Sequence, residues 1–440
     1  MTDQSSAQPT AEDEVVGLLS DLIRIDSTNF GDGTGPGERD AAEYVAAKLT
    51  EVGLQPELYD TGPRRTNVIA RVEGTDPSRD ALLVHAHLDV VPAQAADWQV
   101  DPFSGEVRDG YVWGRGAVDM KDMDAMTLAV LRQRLREGRR PTRDIVLAFL
   151  ADEEAGGSAG VYPLVQQRRE LFDGVTEGIS EVGGFSTTVG EGRRMYLVET
   201  AEKGLAWMRL VARGRAGHGS MINDDNAVTA LCEAVARLGR HPFPVHVTPT
   251  VRQFLGEVSD VLGTDFDEDD AEALVHKLGS LANLVGATLR NTVNPTMVDA
   301  GYKVNVVPGQ ASAQVDGRFL PGYEEEFFAE VDAVLGPDIQ REMLVHHIAF
   351  ETEFSGGVVD AACQALGEAD PGARVVPYTL SGGTDSKAFW PLGIRCFGFV
   401  PLQLPADLNF AGLFHGVDER VPVDALHFGV RVLDRFLDLV

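Results

Sequence analysis

The stretch VHAHLDVVP, residues 84–92, decides how this chain is read. Apolar ALLV leads into it from Ala81, as a buried strand would. His85, His87 and Asp89 then follow at alternate positions. Alternate residues of a strand share one face. Three such side chains on one face are either a metal or catalytic site or a costly patch of buried polarity. A second apolar run, residues 145–151, ends in the same manner, in Asp152-Glu153-Glu154. Such a run, bounded by charge, suits a central parallel strand.

Working outward, apolar residues recur at helical spacing over 14–25, 39–52, 120–137, 226–238 and 424–439. Strand patterns cover 67–72, 81–87, 205–213 and 311–319. The acidic segment 260–270 reads as the opening of a helix, whose N-terminus favours negative charge. Strands alternating with helices predict an α/β layered domain. The texture changes near Glu199, where strands follow one another more closely, and helical patterns return after Pro321. The simplest organisation is an α/β domain, 1–199 and 321–440, interrupted by an inserted α+β domain over 200–320. A frayed tail of about ten residues is expected ahead of the first helix.

The chain has 440 residues and a net charge of −30. That length provides a core that needs no staples and favours two domains. The charge disfavours nucleic acid and anionic membranes as partners, since both are polyanions. Cys232, Cys363 and Cys396 are odd in number and far apart, so no disulfide framework or cysteine-based zinc knuckle can be drawn. With a polar, acidic start that lacks the pattern of a signal peptide, this predicts a cytoplasmic protein.

Further acidic and histidine positions stand at strand ends or glycine-rich turns: Asp119 in GRGAVDMKD, Glu181 in ISEVGGF and His415 in LFHGVDERV. Ligands of open α/β sheets collect beyond the carboxyl ends of strands. Histidine with several carboxylates and no cysteine suits zinc, cobalt or manganese. One Asp, two Glu and two His would complete a two-metal site, with one Glu left over as a base. Taken singly, His85 reads as a satisfied strand histidine, Asp119 as a cap for the helix beginning at Met120, and Glu153 and Glu154 as a solvated loop.

Seven motifs in order, HAHLDVVP, WGRGAVDMKD, ADEEAGGS, AGHGS, NVVPGQASAQVDGR, SGGTDS and FHGVDERV, resemble those of the M20 family of metallopeptidases and deacylases. That family includes aminoacylase-1, succinyl-diaminopimelate desuccinylase, acetylornithine deacetylase and carboxypeptidases. The resemblance implies a zinc-peptidase-like α/β/α catalytic domain with an inserted ferredoxin-like lid and dimerisation domain. It implies two zinc ions per chain, with cobalt or manganese as alternatives. His87 and Glu181 would hold one ion, Glu154 and His415 the other, and Asp119 would bridge them. Asp89 would orient the His87 imidazole, and Glu153 would be the general base acting on a metal-bridging water. His218 would polarise the scissile carbonyl. Asn305 and Arg318 would bind the substrate's carboxylate end, and Gly382, Gly383 and Thr384 would close on it. The structural alternative for Arg318 is pairing with a carboxylate of its own domain. The implied reaction is amide hydrolysis of small N-acyl amino acids or short peptides with a free carboxylate. A biosynthetic desuccinylase or deacetylase, or a non-catalytic binding homologue, are the alternatives. A homodimer through the inserted domain follows from the resemblance alone.

Overall fold

The computed structural model describes residues 8–190, 192–278 and 282–440. Seven residues of the expected N-terminal tail lie outside the described residues. Thr10 then opens the first helix, Ala11–Arg24, with a capping box. Its hydroxyl accepts the Asp13 N–H (3.2 Å), while the Asp13 carboxylate accepts the Thr10 N–H (2.9 Å). Val15, Leu18, Leu19, Leu22 and Ile23 form the buried stripe of that helix. Among the described residues no helix is long and apolar enough to cross a membrane.

The chain divides into two compact units, and the chain that forms each is discontinuous. The first comprises Met1–Thr200, Thr352–Pro377 and Thr384–Val440. Its large mixed sheet runs in the order Glu57–Gly62, Arg65–Val72, Ile145–Leu150, Ala81–His87, Val175–Ser180, Arg395–Gly398. The last four of these are mutually parallel, and the first two pair antiparallel. Ala81 and Leu83 face one layer of helix, where Val161, Leu164 and Phe389 pack. Val84 and Ile145 face the other, against Leu131 of helix Lys121–Arg136 and Leu433 of helix Val423–Leu439. Helices on both faces of a largely parallel sheet explain why ALLV, 81–84, and IVLAFL, 145–150, read as apolar runs.

The second unit comprises Ala201–Glu351 and Tyr378–Gly383. Its antiparallel sheet has the order Thr292–Ala300, Gln310–Phe319, Gly204–Arg213, Ile339–His347. Helices Ala227–Gly239 and Glu324–Leu335 cover one face, with Leu231, Phe327 and Val331 in the core. The chain order strand–helix–strand–strand–helix–strand is ferredoxin-like. This unit extends past the expected boundary at residue 320 to Glu351. The strand Ile339–His347 pairs with Gly204–Arg213 from Ala212↔Ile339 to Leu205↔His347. It is an edge strand carrying Arg341, Glu342, His346 and His347, so it lacks the apolar alternation that marks a strand in sequence. The acidic segment holds a short turn, Glu268–Asp270, leading into the helix Ala271–His276. The longer helix Pro249–Leu262, which the sequence reading did not identify, precedes it.

One glycine fixes how the sheet hands over to the loop bearing Glu153 and Glu154. A Cβ on Gly160 would lie 1.6 Å from the carbonyl oxygen of Ala151. Because that oxygen is backbone, it cannot swing away as a side chain could. Gly160→Ala is therefore expected to destabilise the protein by at least about 3 kcal/mol in denaturant unfolding. An unchanged midpoint would contradict this packing.

Candidate active site

Three adjacent parallel strands carry the site. His87 ends the strand Ala81–His87 and pairs with Leu150, two residues before Asp152-Glu153-Glu154. On the other side Val84 pairs with Ile179, and Glu181 follows the end of that strand. The carboxyl ends of the strands thus place a histidine and three glutamates side by side.

Asp119 links two halves of the site. The His87 Nε2 lies 3.2 Å from Asp119 Oδ1 and 3.4 Å from Glu181 Oε2. The His415 Nε2 lies 3.3 Å from the other oxygen of Asp119, Oδ2, and 3.0 Å from Glu154 Oε2. Glu153 stands slightly further off, its Oε2 4.0 Å from His87 Nε2. Asp119 does not cap the following helix. That helix begins at Lys121 with Met120 at the cap position, and Lys121 Nζ is held by the carbonyls of Leu22 (3.0 Å) and Ile25 (2.9 Å).

These donors fit a metal pair. Zinc with ligands at about 2.0–2.1 Å in a tetrahedron separates neighbouring donor atoms by about 3.3 Å, close to the four spacings above. The buried Glu154 Oε1 has no hydrogen-bond partner among the described residues. The charge points the same way. Burial and Asp119 raise the Glu154 carboxyl to about 7 despite His415, and burial with Glu181 raises Glu153 well above its usual range. Hydrogen bonds to Asp119 and Glu154 push His415 up to about 10. Burial works against protonation of His87, yet Glu181, Asp119 and Glu153 outweigh it and raise its pKa well above normal. Burial likewise opposes ionisation of Asp119, but His415 and His87 hold it below the usual carboxylate range. Buried carboxylates thus hold protons on both histidines, and a divalent cation would displace them.

The imidazole of His87 is oriented differently from the sequence expectation. Its Nδ1 donates to the backbone carbonyl of Asp89 (3.0 Å), whereas the Asp89 carboxylate is 3.7 Å away. That carboxylate instead accepts the backbone N–H groups of Glu153 and Glu154, each at 3.1 Å. His85 is a core residue. It is 1% exposed, lies between the hydroxyls of Ser180 (3.1 Å) and Ser386 (3.3 Å), and rests against the Phe389 ring. Burial lowers its pKa to about 3, so it is neutral.

Several site residues had escaped the sequence reading. Buried Glu419 accepts the N–H groups of Gly116 (3.1 Å) and Val118 (2.8 Å) and pairs with Arg115 (2.6 Å), whose Nη2 reaches the His415 carbonyl (3.4 Å). This pair ties the segment bearing Asp119 to the one bearing His415, which adopts φ +56°. Both residues stand inside quoted motifs, and only their partners were illegible. Asp385, in SGGTDS, is buried, and burial raises its carboxyl well above the usual range although His87 opposes the shift.

The remaining assigned residues, except Thr384, belong to the second unit. His218 is exposed, and its Nδ1 accepts the Ser220 N–H (3.2 Å), so in the neutral ring the proton sits on Nε2. Asn305 adjoins it, its carbonyl accepting the Gly219 N–H (2.9 Å). Arg318 pairs with Asp316 through Nε (2.6 Å) and Nη2 (3.0 Å), the structural alternative noted for it, and its Nη1 has no hydrogen bond in this pair. Gly382 and Gly383 belong to the second unit's short segment Tyr378–Gly383. Thr384 is in the first unit, where its hydroxyl accepts the Ser386 N–H (3.1 Å).

A family model described as peptidase family M20/M25/M40 matches residues 83–439. The chain belongs to this family. It is a metallohydrolase of the M20 type. N-fatty-acyl-amino acid synthase/hydrolase PM20D1 of Xenopus tropicalis is 26% identical over 442 residues, covering 95% of this chain and 84% of its own. Aminoacylase-1 of Pongo abelii is 25% identical over 445 residues, covering 98% of this chain and 97% of its own. The M20 family metallo-carboxypeptidase Sso-CP2 from Sulfolobus solfataricus shares the fold, with a TM-score of 0.72 at 19% identity over 97% of this chain and 99% of that one.

Because hydrogen bonds to Asp119 and Glu154 raise the His415 pKa to about 10 in the metal-free protein, a cation bound there would expel a proton. Zinc affinity is expected to rise with pH from 6 to 9, with protons released on binding. Competition titrations against a chelator of known affinity measure this. A pH-independent affinity would contradict the assignment of His415.

Proposed function

We propose that the protein is a two-zinc hydrolase that cleaves the amide bond of N-acyl amino acids or short peptides bearing a free carboxylate. The observation that carries this reading is the Asp119 carboxylate, which turns one oxygen toward each histidine. His87 and Glu181 would hold one ion, Glu154 and His415 the other, and Asp119 both. Bound zinc would supply Lewis acidity toward the scissile carbonyl and acidify water.

The chain's own residues would do the rest. Glu153, whose Oε2 is 4.0 Å from His87 Nε2, takes a proton from the attacking water and hands it to the leaving amine. A carboxyl with a raised pKa suits a group that must hold a proton between those two events. His218, with its proton on Nε2, donates to the carbonyl oxygen as charge develops there. Arg318, assisted by Asn305, takes the substrate carboxylate on the side of the guanidinium that Asp316 leaves free. Gly382, Gly383 and Thr384 shape the loop at that end. The proposal includes a homodimer joined through the second unit, on the strength of the resemblance, and a cytoplasmic location, on the strength of three scattered cysteines.

The test is release of free amine from N-acetyl, N-succinyl, long-chain N-acyl and dipeptide substrates, with and without chelator. Chelator-sensitive release from at least one class is expected. Glu153→Gln should keep its metal and lose activity by several orders of magnitude. Blocking the substrate carboxylate as an amide should raise KM or lower kcat sharply. Full activity of the Glu153 variant would remove the base assignment, and equal turnover of free and amidated substrates would remove that of Arg318.

A further inference from the structure

Asn29 lies ahead of the helix Arg39–Thr50 and is 4% exposed. Its side chain makes four hydrogen bonds, the full complement of a carboxamide. Nδ2 donates to Asp89 Oδ2 (2.9 Å) and Asp152 Oδ1 (3.1 Å). Oδ1 accepts from Arg65 Nη2 (2.7 Å) and the Gly31 N–H (3.0 Å). The partners fix the orientation of the amide. Flipped, it would set its oxygen against two carboxylates and its NH₂ against a guanidinium. Arg65, itself buried, also pairs with Glu38 and, through Nε, with Asp152 (3.3 Å).

The two carboxylates that Asn29 joins bracket the turn Glu153–Ala155. Asp89 approaches from the strand end and accepts the N–H groups of Glu153 and Glu154. Asp152 precedes the turn at φ +68°, and its Oδ2 accepts the Ala159 N–H (2.7 Å). A non-glycine residue in that region persists only where its surroundings hold it. Asp152 and Glu38 both pair with Arg65, and Asn29 links Asp89 to the same guanidinium. Without a neutral donor between them, Asp89 and Asp152 would face each other across the gap that Asn29 fills.

We propose that Asn29 is a positioning residue for the general base. By tying Asp89 to Asp152 it fixes the turn Glu153–Ala155 and so aims the Glu153 carboxylate and the Glu154 ligand. This inference rests on the reading of Glu153 as the base.

The test compares Asn29→Ala with the parent enzyme, both loaded with zinc. kcat is expected to fall about 10- to 100-fold per metal-loaded chain, as for other outer partners of metal sites, with KM within about threefold. In the Glu153→Gln background the same change should add almost nothing, because both act on one group. A second readout needs neither metal nor activity. In the metal-free protein, amide exchange at Glu153 and Glu154 should accelerate while exchange in the strand Val175–Ser180 stays unchanged. If Asn29→Ala does not fold, Asn29→Ser, which keeps one hydroxyl donor, replaces it in both measurements, with smaller effects in the same directions. Unchanged kcat and unchanged exchange, alongside an inactive Glu153→Gln, would overturn the positioning role and leave the base assignment standing. An active Glu153→Gln would overturn the base assignment and this inference with it.

Discussion

The rest of the first unit is arranged around one carboxylate, that of Asp119, which must serve two histidines at once. Its oxygens are 3.2 Å from His87 and 3.3 Å from His415, residues that come from chain segments more than 300 positions apart. Around it Glu153, Glu154 and Glu181 are gathered in a largely buried place. Such a concentration of negative charge is costly to remove from water unless cations or protons accompany it. The raised carboxyls of Glu153 and Glu154 and the protonated histidines are the form that cost takes in the metal-free protein. Two divalent ions would relieve it.

Holding ligands at donor spacings of 3.0–3.4 Å demands a stiff frame, and the same device appears twice. On one side Asp89, linked through Asn29 to Arg65, accepts two consecutive backbone N–H groups of the turn bearing Glu153 and Glu154. On the other, Glu419, paired with Arg115, accepts N–H groups of Gly116 and Val118, next to Asp119. In each case a buried carboxylate, tied to a buried guanidinium, binds the backbone of the segment that presents the ligands. A backbone held in this way has fewer conformations to lose when a metal or substrate arrives.

Much of this was legible in the sequence. The runs ALLV, 81–84, and IVLAFLA, 145–151, are apolar because parallel strands are covered on both faces, so the polar residues that follow them stand out. The order of the motifs identified the family and nominated Asp119 and the five residues that gather around it. The second layer was harder to read. Asn29 and Arg65 lie in segments without periodicity, and their importance comes from partners 27 to 123 positions away. Spacing cannot distinguish the carbonyl of Asp89, which orients the imidazole, from its carboxylate, which binds the turn. The end of the inserted unit is hard to place from sequence because an edge strand with five polar side chains, Gln340, Arg341, Glu342, His346 and His347, carries little hydrophobic signal.

The most direct test of the shared carboxylate is the number of zinc ions bound per chain, measured by elemental analysis after equilibrium dialysis at limiting free zinc. The parent protein should hold two. Replacing Glu181 by Ala removes a ligand of one half and should leave about one ion. Replacing Asp119 by Ala removes a ligand of both halves and should leave fewer than one. If Asp119→Ala retains two ions, or loses only one while Glu181→Ala loses both, Asp119 is not the shared ligand and the account of the site is wrong.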